Sequence, residues 1–300
     1  MIQKLCLVFV FGITIPLAAQ THTEKITKEF SFEKKSDQNA LIIANVNGNI
    51  KVESYAGDKI QVEVTKSIHA KTQERLEKGK TDIQLGVIDL ADTIILYVDG
   101  LCTQFGKNNN NYRSKKHSNA ERKWSYSWMN NCQECHESYD YKMDFSVKVP
   151  SSLNLRVSTI NNGDIIVENV KGIISANNIN GSIRLNNLTR EAEAHTINGD
   201  VDIEYAQNPQ RDCRFYSLNG DINAWFQKGL AASMSFESFN GSFYTNIDRL
   251  ETLPAVVEKN DESKGVKYKV NNNHYKIGAG GAYLDFETFN GNVYLKEKVN

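Results

Sequence analysis

One short phrase recurs along the chain and limits what it can fold into. It reads NVNGNI from Asn45, INNGDI from Ile160, NINGSI from Asn178, TINGDV from Thr196, SLNGDI from Ser217, SFNGSF from Ser238 and TFNGNV from Thr288. From Gly163 to Gly241 the glycines stand 18, 18, 21 and 21 residues apart, and a period near twenty is the mark of stacked repeats. The second and fourth residues after each glycine are Ile50/Val52, Ile165/Val167, Ile183/Leu185, Val201/Ile203, Ile222/Ala224, Phe243/Thr245 and Val293/Leu295. Twelve of those fourteen are large and apolar, so each phrase opens a strand with one buried face.

The turns themselves are Asn47-Gly48, Asn162-Gly163, Asn180-Gly181, Asn198-Gly199, Asn219-Gly220, Asn240-Gly241 and Asn290-Gly291. Both residue types tolerate positive φ, so the chain can turn sharply there. In INNGDI the extra Asn161 reads as a one-residue bulge. The expected fold is all-β: a β-solenoid, single-stranded and β-helix-like, of stacked 18–21-residue coils. The alternative is a hairpin-rich β-sandwich, because Asn-Gly between alternating strands is also a strong hairpin signal. Stacking places equivalent residues in columns about 4.8 Å apart. Thr159, Asn178, Thr196, Ser217, Ser238 and Thr288, two before the turn, would then form a ladder of hydroxyls and amides.

Residues 1–20 carry Lys4, an apolar run from Leu5 to Ile15 and an exit at Ala18 and Ala19, the layout of a secretory signal peptide. No later stretch is long and apolar enough for a transmembrane helix, so none is expected after signal removal. Residues 21–100 read as an N-terminal β segment with one short helix near Lys71 to Lys78. Residues 101–138 form a polar insertion rich in cysteine and aromatic residues, and residues 139–300 hold the dense repeats. With 36 acidic and 35 basic residues the net charge is −1, which gives no footprint for nucleic acid.

The run DFSVKVPSSLNLRVST from Asp144, the serial Asn-Gly turns and the closing IGAGGAYLDFETFNGNVYL from Ile277 resemble the putative-adhesin domain of unknown function found in bacterial envelope proteins. The resemblance covers roughly Leu41 to Val64 and Met143 to Leu295. It implies a β-solenoid exposed beyond the inner membrane, secreted, periplasmic or at the cell surface, with an adhesive role. The insertion at 101–138 departs from that pattern.

Candidate chemistry concentrates in the insertion. Cys132-Gln133-Glu134-Cys135-His136 matches the c-type haem attachment pattern, but its polar surroundings offer little to enclose a porphyrin. Zinc held by Cys132, Cys135 and two of Cys102, His117 and His136 is chemically allowed. In an oxidising compartment disulfides among Cys102, Cys132, Cys135 and Cys213 take precedence, with Cys102 joined to Cys132 or Cys135 and Cys213 to the remaining partner. Trp124, Tyr126 and Trp128 alternate with serines, so an extended strand aligns three rings, either against a ligand or as the buried face that tacks the insertion down. Stacking also brings Asp200 and Asp221 together, the spacing of a glycosidase pair or a calcium site, although Ser182 and Asn292 fill the same column as ordinary turn residues. The histidines are scattered, and Gly278-Ala279-Gly280-Gly281 lacks the pattern of a phosphate loop.

The sequence therefore points to a non-catalytic, exported, adhesin-like binding or scaffold protein of the bacterial envelope, without cofactor or metal, whose partner is an envelope glycan or a surface protein. The rivals are a polysaccharide-active enzyme and, behind it, a haem protein built on Cys132, Cys135 and His136.

Overall fold

The computed structural model describes residues 20–101, 103–107, 124–128, 138–262, 265–271 and 273–298. Residues 1–19, nearly all of the expected signal peptide at 1–20, and Cys102, Cys132, Cys135, His117 and His136, lie outside the described residues. What is described is all-β apart from one helix, with a 10-stranded and an 11-stranded sheet, both mixed and neither closed.

The Asn-Gly phrases do not make hairpins. Each carries the chain from the 11-stranded sheet to the 10-stranded one. The strand pairs so joined are Ala40–Ala44 to Ile50–Tyr55, Asn154–Ser158 to Ile165–Glu168, Ile174–Asn177 to Ile183–Leu188, and Ala192–Asn198 to Val201–Tyr205. Cys213–Asn219 to Ile222–Phe226, Ala232–Asn240 to Phe243–Thr245, and Ala282–Asn290 to Val293–Glu297 complete the set. Equivalent strands of neighbouring repeats then pair in parallel: Ile50 with Ile165, Ile165 with Ile183, Ile183 with Val201, Val201 with Ile222. The two sheets face each other as a sandwich whose layers are joined by turns at their shared edge.

Spatial order departs from chain order at both ends. The closing repeat does not cap the stack. Ala282–Asn290 lies between Cys213–Asn219 and Ala232–Asn240, in register with both. At the other end Thr93–Asp99 pairs in parallel with Ala40–Ala44, and Tyr139–Pro150 pairs in parallel with Ile50–Tyr55. These two strands stand to each other as the halves of one more repeat, and the segment between them replaces its Asn-Gly turn. Met143 and Asp144 take the places of the glycine and its successor: the Asn45 side chain donates to the Met143 carbonyl (2.8 Å), and the Asn49 N–H donates to the Asp144 carboxylate (2.8 Å). The long antiparallel strands Gln20–Phe30 and Ile60–Ala70 finish the 10-stranded sheet.

The predicted helix forms at Gln73–Asp82, where the Thr72 hydroxyl accepts the Arg75 N–H at its start. Its other end is satisfied by Lys66. That side chain is buried, yet its ammonium donates to the carbonyls of Lys80 (3.1 Å) and Ile83 (2.9 Å) and pairs with Glu24 (3.2 Å).

The core lies between the sheets. Ile50, Val52, Ile165, Val167, Ile183, Leu185, Val201, Ile203, Ile222, Ala224, Val293 and Leu295 are each no more than 1% exposed. Facing them from the other sheet are Leu41, Ile43, Leu155, Val157, Ile174, Ala176, Ala192, Ala194, Phe215, Leu284 and Phe286. Where Phe215 adds bulk, the same repeat supplies Ala224. The stack also sets a limit at the turn. A Cβ built on Gly163, Gly181, Gly199, Gly220 or Gly291 collides with the carbonyl oxygen of the glycine in the adjacent repeat. Replacing Gly220 with alanine should therefore cost about 1–3 kcal/mol, read as a lowered denaturation midpoint. Gly106→Ala, where a Cβ meets nothing within 4 Å, should leave the midpoint unchanged.

Candidate functional site at the repeat corner

Three polar columns run along the corner, and each is spent on the neighbouring repeat. The first stands two before the turn and is largely buried: Thr159 donates to the Gly48 carbonyl (2.9 Å), Asn178 to Gly163 (2.9 Å), Thr196 to Gly181 (2.8 Å) and Ser217 to Gly199 (2.8 Å). Thr288 and Ser238 reach Gly220 and Gly291 less closely, at 3.3 and 3.4 Å. The second is the asparagine of the turn, whose amide donates to the side-chain carbonyl of its neighbour. The chain of bonds runs Asn180 to Asn161, Asn198 to Asn180, Asn219 to Asn198, Asn290 to Asn219 and Asn240 to Asn290, all at 2.8–2.9 Å. In the INNGDI repeat Asn161 occupies this ladder. Asn162, with φ of +55°, is the residue displaced from it.

The third column follows the glycine and holds the acids. The Ser182 N–H donates to Asp164 (2.8 Å), Asp221 N–H to Asp200 (2.8 Å) and Asn292 N–H to Asp221 (2.7 Å). Asp200 and Asp221 are indeed neighbours across one strand spacing, but each has one carboxylate oxygen engaged by the backbone of the next repeat. Their visible task is to satisfy amides at an edge of the sandwich. No group of three or more metal-ligating side chains occurs among the described residues.

A fourth column is apolar and faces outward. It is the residue before the ladder asparagine in six of the seven repeats, Ile160, Ile179, Ile197, Leu218, Phe289 and Phe239 in spatial order, whereas Val46 of the first repeat is buried and Ile160 is half-buried against the core. Phe239 is 74% exposed and stacks on Phe289 with ring centroids 4.8 Å apart and planes 4° from parallel. At about 4.8 Å per repeat the ridge runs roughly 24 Å. Beyond the turn, on the outer face of the 10-stranded sheet, Tyr244 stacks on Tyr294 (5.1 Å), and the Lys296 ammonium lies 4.6 Å from the Trp225 ring centre and 5.4 Å from that of Tyr294. The sequence carried the signal for this surface. Thr288 and its equivalents point inward, so strand parity sends the next residue outward.

The insertion's aromatic residues are placed differently from a solvent-facing strip. Trp124–Trp128 pairs antiparallel with Thr103–Lys107. Tyr126 is turned into the fold: its hydroxyl accepts the Val98 N–H (2.8 Å) and donates to the Ala44 carbonyl (2.8 Å), and burial pushes it well above the usual phenol range. Trp124 stacks on Phe105 (6.0 Å), which stacks on Tyr97 (4.8 Å). The Trp128 side chain lies outside the described residues.

Cys213 corrects the disulfide expectation. Its thiol is free and buried in the core beside the Tyr205 hydroxyl (Sγ–O 3.1 Å), and burial raises its pKa. Strand parity explains this, since Cys213 shares the inward face with Phe215. Cys102, Cys132 and Cys135, and with them the haem and zinc readings, fall outside the described residues.

If the acid column serves the stack, Asp221→Asn keeps an acceptor for the Asn292 N–H and should shift stability by less than about 0.5 kcal/mol. Asp221→Ala removes it and should cost about 1–2 kcal/mol by chemical denaturation.

No protein-family model matches the chain, and no curated protein sequence matches it. Among solved structures it is similar to a putative cell adhesion protein from Clostridium sporogenes, at 11% identity and a TM-score of 0.43, over 92% of this chain and 100% of that one. It is also similar to a putative adhesin from Bacteroides fragilis, at 14% identity and a TM-score of 0.38, over 92% of this chain and 97% of that one. A putative lipid binding protein from Parabacteroides distasonis is similar at 13% identity and a TM-score of 0.26, with the same coverages.

Proposed function

We propose that this chain is an exported, non-catalytic, adhesin-like binding or scaffold protein of the bacterial cell envelope, built as a β-solenoid with the seven Asn-Gly repeats as its coils. The observation that carries the reading is the division of labour at the corner: polar columns hold repeat to repeat, while large apolar rings are left to solvent. Parallel, in-register pairing of equivalent strands supports the solenoid. The signal-like start supports export.

The binding surface in this reading is the last three repeats in space, where Phe239, Phe289, Tyr244, Tyr294 and Trp225 gather. Paired rings with an ammonium beside them suit the faces of successive sugar units, so an envelope glycan is the favoured partner over a surface protein. The structural use of Asp200 and Asp221 at the corner favours the binding reading over the enzyme reading.

Two exposed rings at roughly 1 kcal/mol each correspond to a tenfold to thirtyfold loss of affinity. The double variant Phe239→Ala with Tyr244→Ala should lose about that much binding to purified peptidoglycan sacculi, with an unchanged thermal melt. A variant that melts normally and binds as well as the parent would remove this surface from consideration.

A further inference from the structure

The seven Asn-Gly pairs do not stand in equal surroundings. In five of them the glycine N–H is held by the neighbouring repeat: Gly48 donates to the Asn161 carbonyl (3.0 Å), Gly181 to Asn198 (2.8 Å), Gly199 to Asn219 (3.0 Å), Gly220 to Asn290 (3.0 Å) and Gly291 to Asn240 (3.1 Å). Gly163 and Gly241 make no such bond among the described residues. The reason differs at the two places. Gly241 belongs to the last repeat in space, whose strand Phe243–Thr245 ends its sheet, so no further repeat offers a carbonyl. Gly163 follows the extra residue Asn162, whose φ of +55° takes it out of the ladder that Asn161 occupies. Access to water does not separate the pairs, since Asn180, Asn198, Asn219 and Asn290 are exposed as Asn162 and Asn240 are. The bond from the glycine nitrogen does.

That nitrogen matters because asparagine followed by glycine can close on itself in water. As its proton leaves, the glycine nitrogen attacks the side-chain Cγ of the asparagine. An N–C bond forms, the Cγ–Nδ2 bond breaks, and the side-chain nitrogen departs as ammonia. Water then opens the cyclic imide at either of its carbonyls, leaving aspartate or isoaspartate, and no other co-reactant is needed. Glycine favours the closure, having no side chain to obstruct it and a backbone that turns freely. A hydrogen bond donated by the same N–H opposes it twice, by keeping the proton on nitrogen and by fixing the peptide plane that must swing toward Cγ. The stack must then open locally before the reaction can start.

We propose that Asn162 and Asn240 are sites of spontaneous deamidation, and that the stack protects Asn47, Asn180, Asn198, Asn219 and Asn290 from it. At Asn240 the product alters the aromatic end of the stack. The Asn240 amide donates to Asn290 Oδ1 (2.9 Å), and a carboxylate in its place has no proton to give. The last rung of the ladder is lost and a negative charge stands next to Phe239, which is 74% exposed. The two sites stand whatever that surface binds.

The test is peptide mapping by mass spectrometry of the full chain, incubated folded in mildly alkaline buffer and, in parallel, in concentrated urea. In the folded protein Asn162 and Asn240 should convert from amide to acid about tenfold faster than Asn180, Asn198, Asn219 and Asn290, the ratio that one missing hydrogen bond allows. In urea all seven should convert at similar rates, because the ladder is gone. Folded-state rates that are the same at Asn162, Asn240 and Asn219 would overturn the proposal. A ranking that persists unchanged in urea would do so too, since the flanking residues, not the stack, would then set it.

Discussion

The contact between the glycine carbonyl of one repeat and the glycine Cα of the next governs this fold. No side chain fits between them. A Cβ at Gly220 would meet the Gly199 carbonyl, and one at Gly291 would meet that of Gly220. The close approach lets the corner repeat at strand spacing, and at that spacing every neighbouring group finds its copy. The asparagine amides then bond in series, the buried hydroxyls reach the glycine carbonyls, and the acids reach the following amides. Each bond contributes modestly to net stability, on the order of 1 kcal/mol, but an unmatched amide at this edge would cost as much or more. The apolar pairs behind the turn supply most of the driving force, and the corner supplies the register.

This arrangement also explains where binding chemistry can sit. Residues that look reactive in sequence are consumed by the stack, because identical positions recur every repeat and meet one another. Features available to a partner are those that break the repetition. Phe289 and Phe239 replace the isoleucines of earlier repeats, and Tyr294 and Tyr244 replace polar residues such as Asp202 and Asn223. At the corner opposite the turns the repetition also breaks, leaving a cleft where three loops converge. The insertion is another such break, since it stands where a turn would otherwise be. Its Tyr126 fastens it to the backbone of Val98 and Ala44.

Much of this was legible in the chain itself, because a residue's column and parity follow from its distance to the nearest Asn-Gly pair. The inward positions, from Ile50 and Val52 to Val293 and Leu295, and the polar column from Thr159 to Thr288 lie where that count puts them. Order along the stack was not legible. Nothing local in AYLDFETFNGNVYL states that it slots between two earlier repeats, since its strands present the same pattern to either side. The double asparagine at 161 and 162 corrects the sequence reading: Asn161, expected to be the bulged residue, pairs with Asn180 in the ladder, and Asn162, with φ of +55°, is the extra one. Parity buries Cys213, which stands in the core as a free thiol, while its three possible partners lie outside the described residues. The cleft could not be read at all, as its walls combine Phe32–Asn39 and Tyr55–Asp58 with Pro150–Leu153, which lies far along the chain.

Native-state hydrogen exchange at the turn glycines tests the central claim most directly. A solvent-facing hairpin turn would exchange its amides quickly. Here the Gly181, Gly199, Gly220 and Gly291 N–H groups donate to asparagine carbonyls of the next repeat at 2.8–3.1 Å. They should be protected to the same degree as the amides of Ile183, Val201, Ile222 and Val293 in the adjoining strands. Rapid exchange at those glycines beside slow exchange in the strands would show that the corner does not hold the stack.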